Sequence, residues 1–287
     1  MMRSKLFVPG SRPEFFDKAM TGAADALSFD LEDAVAPSRK ADARRNVGDL
    51  LARLPRAHDK LMIVRVNAVG SADFMEDVDA IVRTGLDEIN LPKLESPEEL
   101  LQGIAAIEAA EKRHGLTHRI GILVNVESPK GMRRAAEIAC ASPRVTGLQY
   151  GLGDLFAPLR IERHEAAIGP VRLMVRLAAA EAGVPAYDTA WTAISDTLGY
   201  ERDARAALRL GFTGKTCLHP TQVPIANAVF TPSQAQVRWS QKVLAAAAAP
   251  ENEGKGAFTI DGKMVDEPVF AEARATVALA ERLGLVS

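Results

Sequence analysis

The feature that most constrains this chain is a repeated alternation: eight short apolar runs, each followed by a longer amphipathic stretch or a loop. The runs are 5–9 (KLFVP), 26–33 (ALSFDLED), 61–67 (LMIVRVN), 88–93 (EINLPK), 120–127 (IGILVNVE), 145–150 (VTGLQY), 185–189 (PAYDT) and 214–219 (GKTCLH). Near-continuous apolar strands separated by helices predict a parallel sheet covered on both faces. Eight such units suit a TIM (β/α)8 barrel better than an open doubly wound sheet. The open sheet would want a glycine-rich phosphate turn after an early strand, and Gly10 alone does not supply one.

Helix starts are marked by a cap followed by proline. Ser96-Pro97-Glu98-Glu99 predicts a helix with Leu100, Leu101, Ile104 and Ile107 on one face. Ser128-Pro129 and Thr231-Pro232-Ser233-Gln234 repeat the pattern. The expected division is a barrel over 1–230 and a C-terminal extension over 231–287. The extension reads as an alanine-rich helix over 232–249, a polar linker over 250–256 (PENEGKG), a hairpin over 257–265 around Asp261-Gly262, and a last helix over 268–283. It is too short to be expected to have a core of its own. Phe258, Ile260, Met264, Val265, Val269 and Phe270 are therefore expected to bury against the barrel or a neighbouring subunit.

The 287 residues are 47% hydrophobic and 25% charged, with a formal net charge of −2, which gives no reason to expect a nucleic-acid partner. Cys140 and Cys217 form no C-x-x-C or zinc pattern and are expected to be two buried thiols in a reducing compartment. The N-terminal apolar run is too short for a signal peptide and no stretch approaches a membrane span, so a cytoplasmic location is expected.

In a TIM barrel the chemistry lies at the C-terminal ends of the strands. The polar residues there are Asp30, Glu32, Asp33, Arg65, Asn67, Lys93, Glu127, Asp154, Asp188 and His219. Asp30, Glu32, Glu127 and Asp154 would crowd four carboxylates around one mouth, with Arg65 and Lys93 between them. Crowded carboxylates repel unless a cation sits among them, and all-oxygen ligands favour Mg²⁺ or Mn²⁺ over Zn²⁺. Asp188 is read equally as a rim or a site residue, His219 as structural rather than a general base, and Arg44-Arg45 as a solvated helix face. Residues 211–216 (GFTGKT) are not a P-loop, because Arg209 stands where its first glycine is required.

These blocks resemble a known family. Arg3-Ser4-Lys5-Leu6-Phe7-Val8-Pro9-Gly10, Asp30-Leu31-Glu32-Asp33-Ala34-Val35, Val64-Arg65-Val66-Asn67, Leu91-Pro92-Lys93, Val126-Glu127-Ser128, Gly153-Asp154 and Leu218-His219-Pro220 together resemble the citrate lyase beta-subunit-like group. That group includes malyl-CoA and citramalyl-CoA lyases and belongs to the aldolase/citrate lyase superfamily. The resemblance implies Glu127 and Asp154 as direct Mg²⁺ ligands, with Asp30 and Glu32 holding metal-bound waters. It implies Arg65 at the substrate oxygen where negative charge develops, and Arg3 and Lys93 for the coenzyme A phosphates. The segment Asp261 to Asp266 resembles the family's C-terminal lid, in which Asp266 would reach a neighbouring subunit's site as acid/base. Asn125, where members more often carry an apolar residue, is expected to touch the pocket wall.

The implied function is Mg²⁺-dependent cleavage of a β-hydroxyacyl-CoA (malyl-, methylmalyl- or citramalyl-CoA) to an acyl-CoA and glyoxylate or pyruvate. A homotrimer or hexamer sharing its lids between subunits is expected, with no membrane partner. The alternatives are a citrate lyase beta subunit working in a carrier-protein complex, and a pyruvate-type metal aldolase without coenzyme A, against which the extension argues.

Overall fold

The structure is a computed structural model and describes residues 2–249 and 256–286. Most of the expected polar linker lies outside the described residues. The chain divides at Val229/Phe230 into two compact units.

The first unit is a closed barrel of eight parallel strands. They are β1 (Ser4–Pro9), β2 (Ala26–Asp30), β3 (Leu61–Arg65), β4 (Glu88–Leu91), β5 (Gly121–Val126), β6 (Val145–Tyr150), β7 (Ala186–Asp188) and β8 (Gly214–Cys217). Each pairs with the next, and β1 closes on β8 with Lys5 beside Thr216. All five residues of β2 are buried, as a sheet covered on both faces requires. Inside the barrel Met2, Ala26, Ile63, Leu123 and Tyr187 pack into an apolar plug. Several strands stop short of the expected ends, because polar side chains there bend the chain into loops. Asp30 shows how: its carboxylate accepts from the backbone N–H groups of Glu32 and Ala34, which turns the chain out of β2.

Ser96 and Ser128 cap their helices as expected, accepting from the N–H groups of Glu99 and Gly131. The helix Pro97–Arg113 buries Leu100, Ile104 and Ile107, whereas Leu101 faces solvent. Arg44 is not on a solvated face. It is buried in the helix Lys40–Arg53 and forms ion pairs with Asp73, Glu76 and Asp77, the last at 2.7 Å. Arg45 does point outward. Both cysteines are free, but only Cys217 is buried; Cys140, the last residue of the helix Ala135–Cys140, is exposed.

The second unit contains the helix Gln234–Ala247, the hairpin β9 (Ala257–Ile260) and β10 (Lys263–Asp266), and the helix Glu267–Arg282. The hairpin turns at Asp261 (φ 50°) and Gly262 (φ 74°), the left-handed pair a two-residue turn of this kind needs. The first helix is capped by Ser233 in a reciprocal box with Gln236, so the effective start signal is Ser233 rather than Thr231-Pro232. The expectation that the extension lacks a core is corrected. Val243, Ile260, Val265, Phe270 and Ala273 form a buried cluster, with Trp239 and Phe258 packed against it. Helix Gln234–Ala247 supplies the surface that the hairpin residues alone lack. Met264 stays exposed. Among the described residues no helix is long and apolar enough to cross a membrane.

Candidate active site

Adjacent strands bring the polar ends together at the C-terminal mouth of the barrel. Asp30 and Arg65 are the last residues of β2 and β3 and lie directly beside each other in register. The Asp30 carboxylate accepts from Arg65 Nε and Nη2, each at 2.7 Å. Burial pushes the Asp30 carboxyl up, but the Arg65 hydrogen bonds and charge outweigh it and hold the group below the usual range. Arg65 Nη1 also meets Glu32 Oε2 at 2.9 Å, and its guanidinium lies over the Phe7 ring. Burial alone would lower the Arg65 pKa, but these acids raise it, so the group is a fixed cation.

Lys93, two residues past β4, has φ 56°, a left-handed conformation that is unfavourable for a lysine. It places Nζ 2.7 Å from Glu32 Oε1, 3.2 Å from Asp33 Oδ1 and 3.9 Å from Asp154 Oδ1. Burial raises the pKa of Glu32 despite Arg65 and Lys93.

Glu127 follows β5. It is 4% exposed, and its carboxyl is pushed up to about 7, first by burial and then by the charges of Glu32 and Asp154. Its Oε1 accepts from Asn125 Nδ2 at 2.8 Å, while Oε2 is buried with no hydrogen-bond partner. Gly151 packs so closely that a Cβ there would lie 2.1 Å from Glu127 Oε1, so no larger residue leaves the carboxylate in place. Asp154 stands half-exposed in the short helix Leu152–Phe156 that follows β6. Asp30, Arg65, Asn125, Glu127, Gln149 and Asp154 all line one cavity of about 320 Å³.

An unpartnered buried carboxylate oxygen, a second carboxylate on the same cavity and no sulfur or imidazole suit a hard divalent cation. Among the described residues no group of three or more His, Cys, Asp or Glu is arranged to hold a metal. The protein thus offers two carboxylates, which fits Mg²⁺, an ion that keeps several waters or substrate oxygens.

The sequence profile of the HpcH/HpaI aldolase/citrate lyase family matches residues 3–220. The chain belongs to this family. It is 37% identical over 286 residues to citrate lyase subunit beta of Escherichia coli (strain K12), covering 99% of this chain and 94% of that protein. It is 35% identical over 283 residues to a (3S)-malyl-CoA thioesterase of Cereibacter sphaeroides (strain KD131), covering 98% and 95%. The crystal structure of CitE from Mycobacterium tuberculosis, in complex with magnesium, acetoacetate and coenzyme A, superposes with a TM-score of 0.77 at 33% identity, covering 97% of both chains.

Within this member of the aldolase/citrate lyase family, Asp30, Glu32, Arg65, Lys93, Glu127 and Asp154 come together. Arg3 does not join them. It precedes β1 and pairs with Asp25, which precedes β2, so it lies at the N-terminal ends of the strands, opposite the mouth. Asp188 is neither a rim nor a cavity residue. It is wholly buried, accepting from Arg172 and Lys215 and from the Tyr150 hydroxyl. His219 caps a short helical turn, its ring accepting from the Thr221 N–H. Asp266 lies at the end of β10 and starts the last helix of the second unit.

Lys5 and Gln149 escaped the sequence reading. Lys5 is buried inside the barrel and donates to Gln149 Oε1. Its signal was a lysine two residues before Phe7, hence on the same face of a strand otherwise fit for a core.

Proposed function

We propose that this chain is a Mg²⁺-dependent carbon–carbon lyase. It acts on a β-hydroxyacyl-CoA of the malyl-, methylmalyl- or citramalyl-CoA type, cleaving it reversibly to an acyl-CoA and glyoxylate or pyruvate. The observation that carries this reading is the unpartnered, buried Oε2 of Glu127 on a cavity shared with Asp154 and the clamped guanidinium of Arg65. Family membership and the magnesium and coenzyme A named for the CitE complex support it.

Glu127 and Asp154 would hold the ion, and Mn²⁺ suits the same donors. When bound, the metal supplies Lewis-acid polarisation and a template for the oxygens of the 2-oxo acid half. The protein's own residues do the rest. Arg65 places a fixed cation where negative charge gathers as the carbon–carbon bond breaks. Asp30 saturates its oxygens on Arg65 and two backbone N–H groups, so its part is to orient Arg65 rather than to hold a metal-bound water. Glu32 ties Arg65 to Lys93. Lys93 spends its charge on three acids, leaving little for a coenzyme A phosphate.

Asp266 is the proposed acid/base that exchanges a proton with the α-carbon of the acyl thioester. Among the described residues its side chain caps nothing and forms no ion pair. We assign it to a neighbouring subunit's site, in a homotrimer or hexamer whose second units cover the mouths and exclude water.

The test is a panel of malyl-, methylmalyl- and citramalyl-CoA offered to the purified protein with Mg²⁺, reading 2-oxo acid, acyl-CoA and free coenzyme A. Release of 2-oxo acid with intact acyl-CoA supports the lyase. Free coenzyme A without 2-oxo acid is thioester hydrolysis and overturns it. The likeness to citrate lyase subunit beta favours one second reading, the same cleavage of a citryl thioester carried on a partner protein. Turnover only when citryl is supplied on a carrier would select it.

A further inference from the structure

A second cavity, of about 350 Å³, lies outside the barrel between the helices Glu165–Glu181 and Thr197–Arg209. Its walls carry five arginines, Arg163, Arg172, Arg202, Arg205 and Arg209, against two acids, Glu165 and Asp203. The whole chain has a net charge of −2, so this excess is local. Some of these charges are already matched. Asp188 and Asp203 balance Arg172 and Lys215. Arg205 pairs with Glu201 at 2.6 Å. Arg163 lies over the Trp191 ring and stands 3.9 Å from Asp203, an acid that Arg172 and Lys215 already share. Arg202 and Arg209 form no ion pair or hydrogen bond among the described residues. Of the acids on these walls, only Glu165 is left to set against Arg163, Arg202 and Arg209.

We propose that this cleft is a binding site for a small phosphate monoester, separate from the barrel mouth. Arg202, Arg205 and Arg209 stand at i, i+3 and i+7, so the helix presents them on one face, and that face lines the cleft. Guanidinium groups hold phosphate oxygens through paired N–H donors. Polar groups that are buried normally find partners. Here the unpartnered buried atoms of the cleft-lining residues are Arg163 Nε and Trp191 Nε1, and both can only donate. An acceptor-rich group answers such a set, whereas a cation does not. Three arginines against Glu165 leave a surplus of two positive charges, which the dianion of a phosphate monoester neutralises. The volume falls in the range of roughly 300–1,000 Å³ typical of small-molecule sites, more than a bare ion fills. Ile168 and Ala206 give an organic body an apolar surface. Arg163 lines the mouth cavity as well and donates to the Ala190 carbonyl there, so the two cavities share a wall. The experiment must therefore separate them.

The chain has two tryptophans, Trp191 and Trp239, so Trp239→Phe leaves Trp191 as the only indole reporter. The test is titration of Trp191 emission in that protein with inorganic phosphate and with glycerol 3-phosphate, at constant ionic strength set by sodium chloride. Both should give a saturable shift, and glycerol 3-phosphate should bind the more tightly. Arg202→Gln and Arg209→Gln, changes at exposed positions, should each weaken binding by roughly 10- to 100-fold, the scale of a hydrogen bond to a charged group. Lys93→Gln, at the mouth, should leave it unchanged. Calorimetry on the wild type makes the same comparisons should Trp239→Phe not fold. No saturable binding, or binding that both arginine variants keep, overturns the site. Loss of binding in Lys93→Gln assigns the phosphate to the mouth and overturns it too. Binding of coenzyme A at the α9 arginines with no binding of either small phosphate would make the cleft part of the substrate's own path, which also overturns a separate site. None of these outcomes touches the lyase reading, which is tested by product release.

Discussion

Arg65 grips Asp30 with a two-pronged pair of hydrogen bonds, Nε to Oδ1 and Nη2 to Oδ2, both 2.7 Å long. Planar geometry matters here, because an ammonium cannot make both bonds from one plane. Arg65→Lys should therefore lower turnover by roughly 10²-fold or more, the usual scale for losing one donor to a developing oxyanion. Asp30→Asn should fall in the same direction by freeing the guanidinium to rotate. Steady-state kinetics decide: a raised KM with wild-type kcat would mean that Arg65 only binds substrate.

Glu127 and Asp154 give a prediction about the metal. Asp154→Asn should fold normally, with Mg²⁺ binding and turnover both lost, and EDTA should silence the wild type until Mg²⁺ is restored. Asn125→Leu removes the donor that orients Glu127 Oε1 and should weaken Mg²⁺ binding by about 10- to 100-fold, as for other partners of metal ligands. Full activity in the stripped wild type would remove the metal assignment.

The buried network behind β7 and β8 predicts a stability effect. Asp188 and Asp203 face Arg172 and Lys215 across contacts of 2.5 to 3.0 Å. Asp188→Asn leaves an uncompensated buried cation and should cost about 3–5 kcal/mol in urea unfolding. Burial would raise the Asp188 carboxyl, but Lys215 and Arg172 depress it to about 2. A depressed carboxylate stabilises the fold fully above its unfolded pKa of about 3.9 and loses that contribution as pH falls toward 2. Wild-type stability should drop in that acid window, and Asp188→Asn should drop less. Equal slopes would show that Asp188 does not carry the acid sensitivity.

The two cysteines should react differently. Burial pushes the Cys217 thiol up to about 12, while Cys140 is exposed. Thiolate character and access govern alkylation. Iodoacetamide on the native protein should label Cys140 alone, with Cys217 labelled only after denaturation, as read by peptide mass. Native labelling of Cys217 would contradict its burial.

Asp266 gives a prediction about assembly. Asp266→Ala and Asp154→Asn, each nearly inactive alone, should regain activity when mixed under conditions of subunit exchange. Some mixed assemblies would then present an intact metal site to an intact second unit. No recovery, with exchange confirmed by native mass, would mean that Asp266 acts within its own chain or not at all.

Much of this protein is legible before folding, because the governing signals are local. Runs such as 61–67 (LMIVRVN) announce buried strands, Ser96-Pro97 and Ser128-Pro129 announce helix starts, and Asp261-Gly262 announces a hairpin turn. The acids at strand ends are local too, since a parallel barrel sends every strand's C-terminal end to one mouth. Partners are another matter. Arg3 and Arg65 both look like cations beside a strand, yet they lie at opposite ends of the barrel, and Asp25 claims the first. Asp188 follows the apolar start of its run as the other acids do, yet its side chain faces the covering helix, where Arg172 meets it. Lys5 and Gln149 meet across 144 residues of sequence. The strand period tells which residues share a face, but only closure of the barrel brings one strand's face against another's. That closure decides which charges are neutralised, which are buried together and which remain open to a ligand.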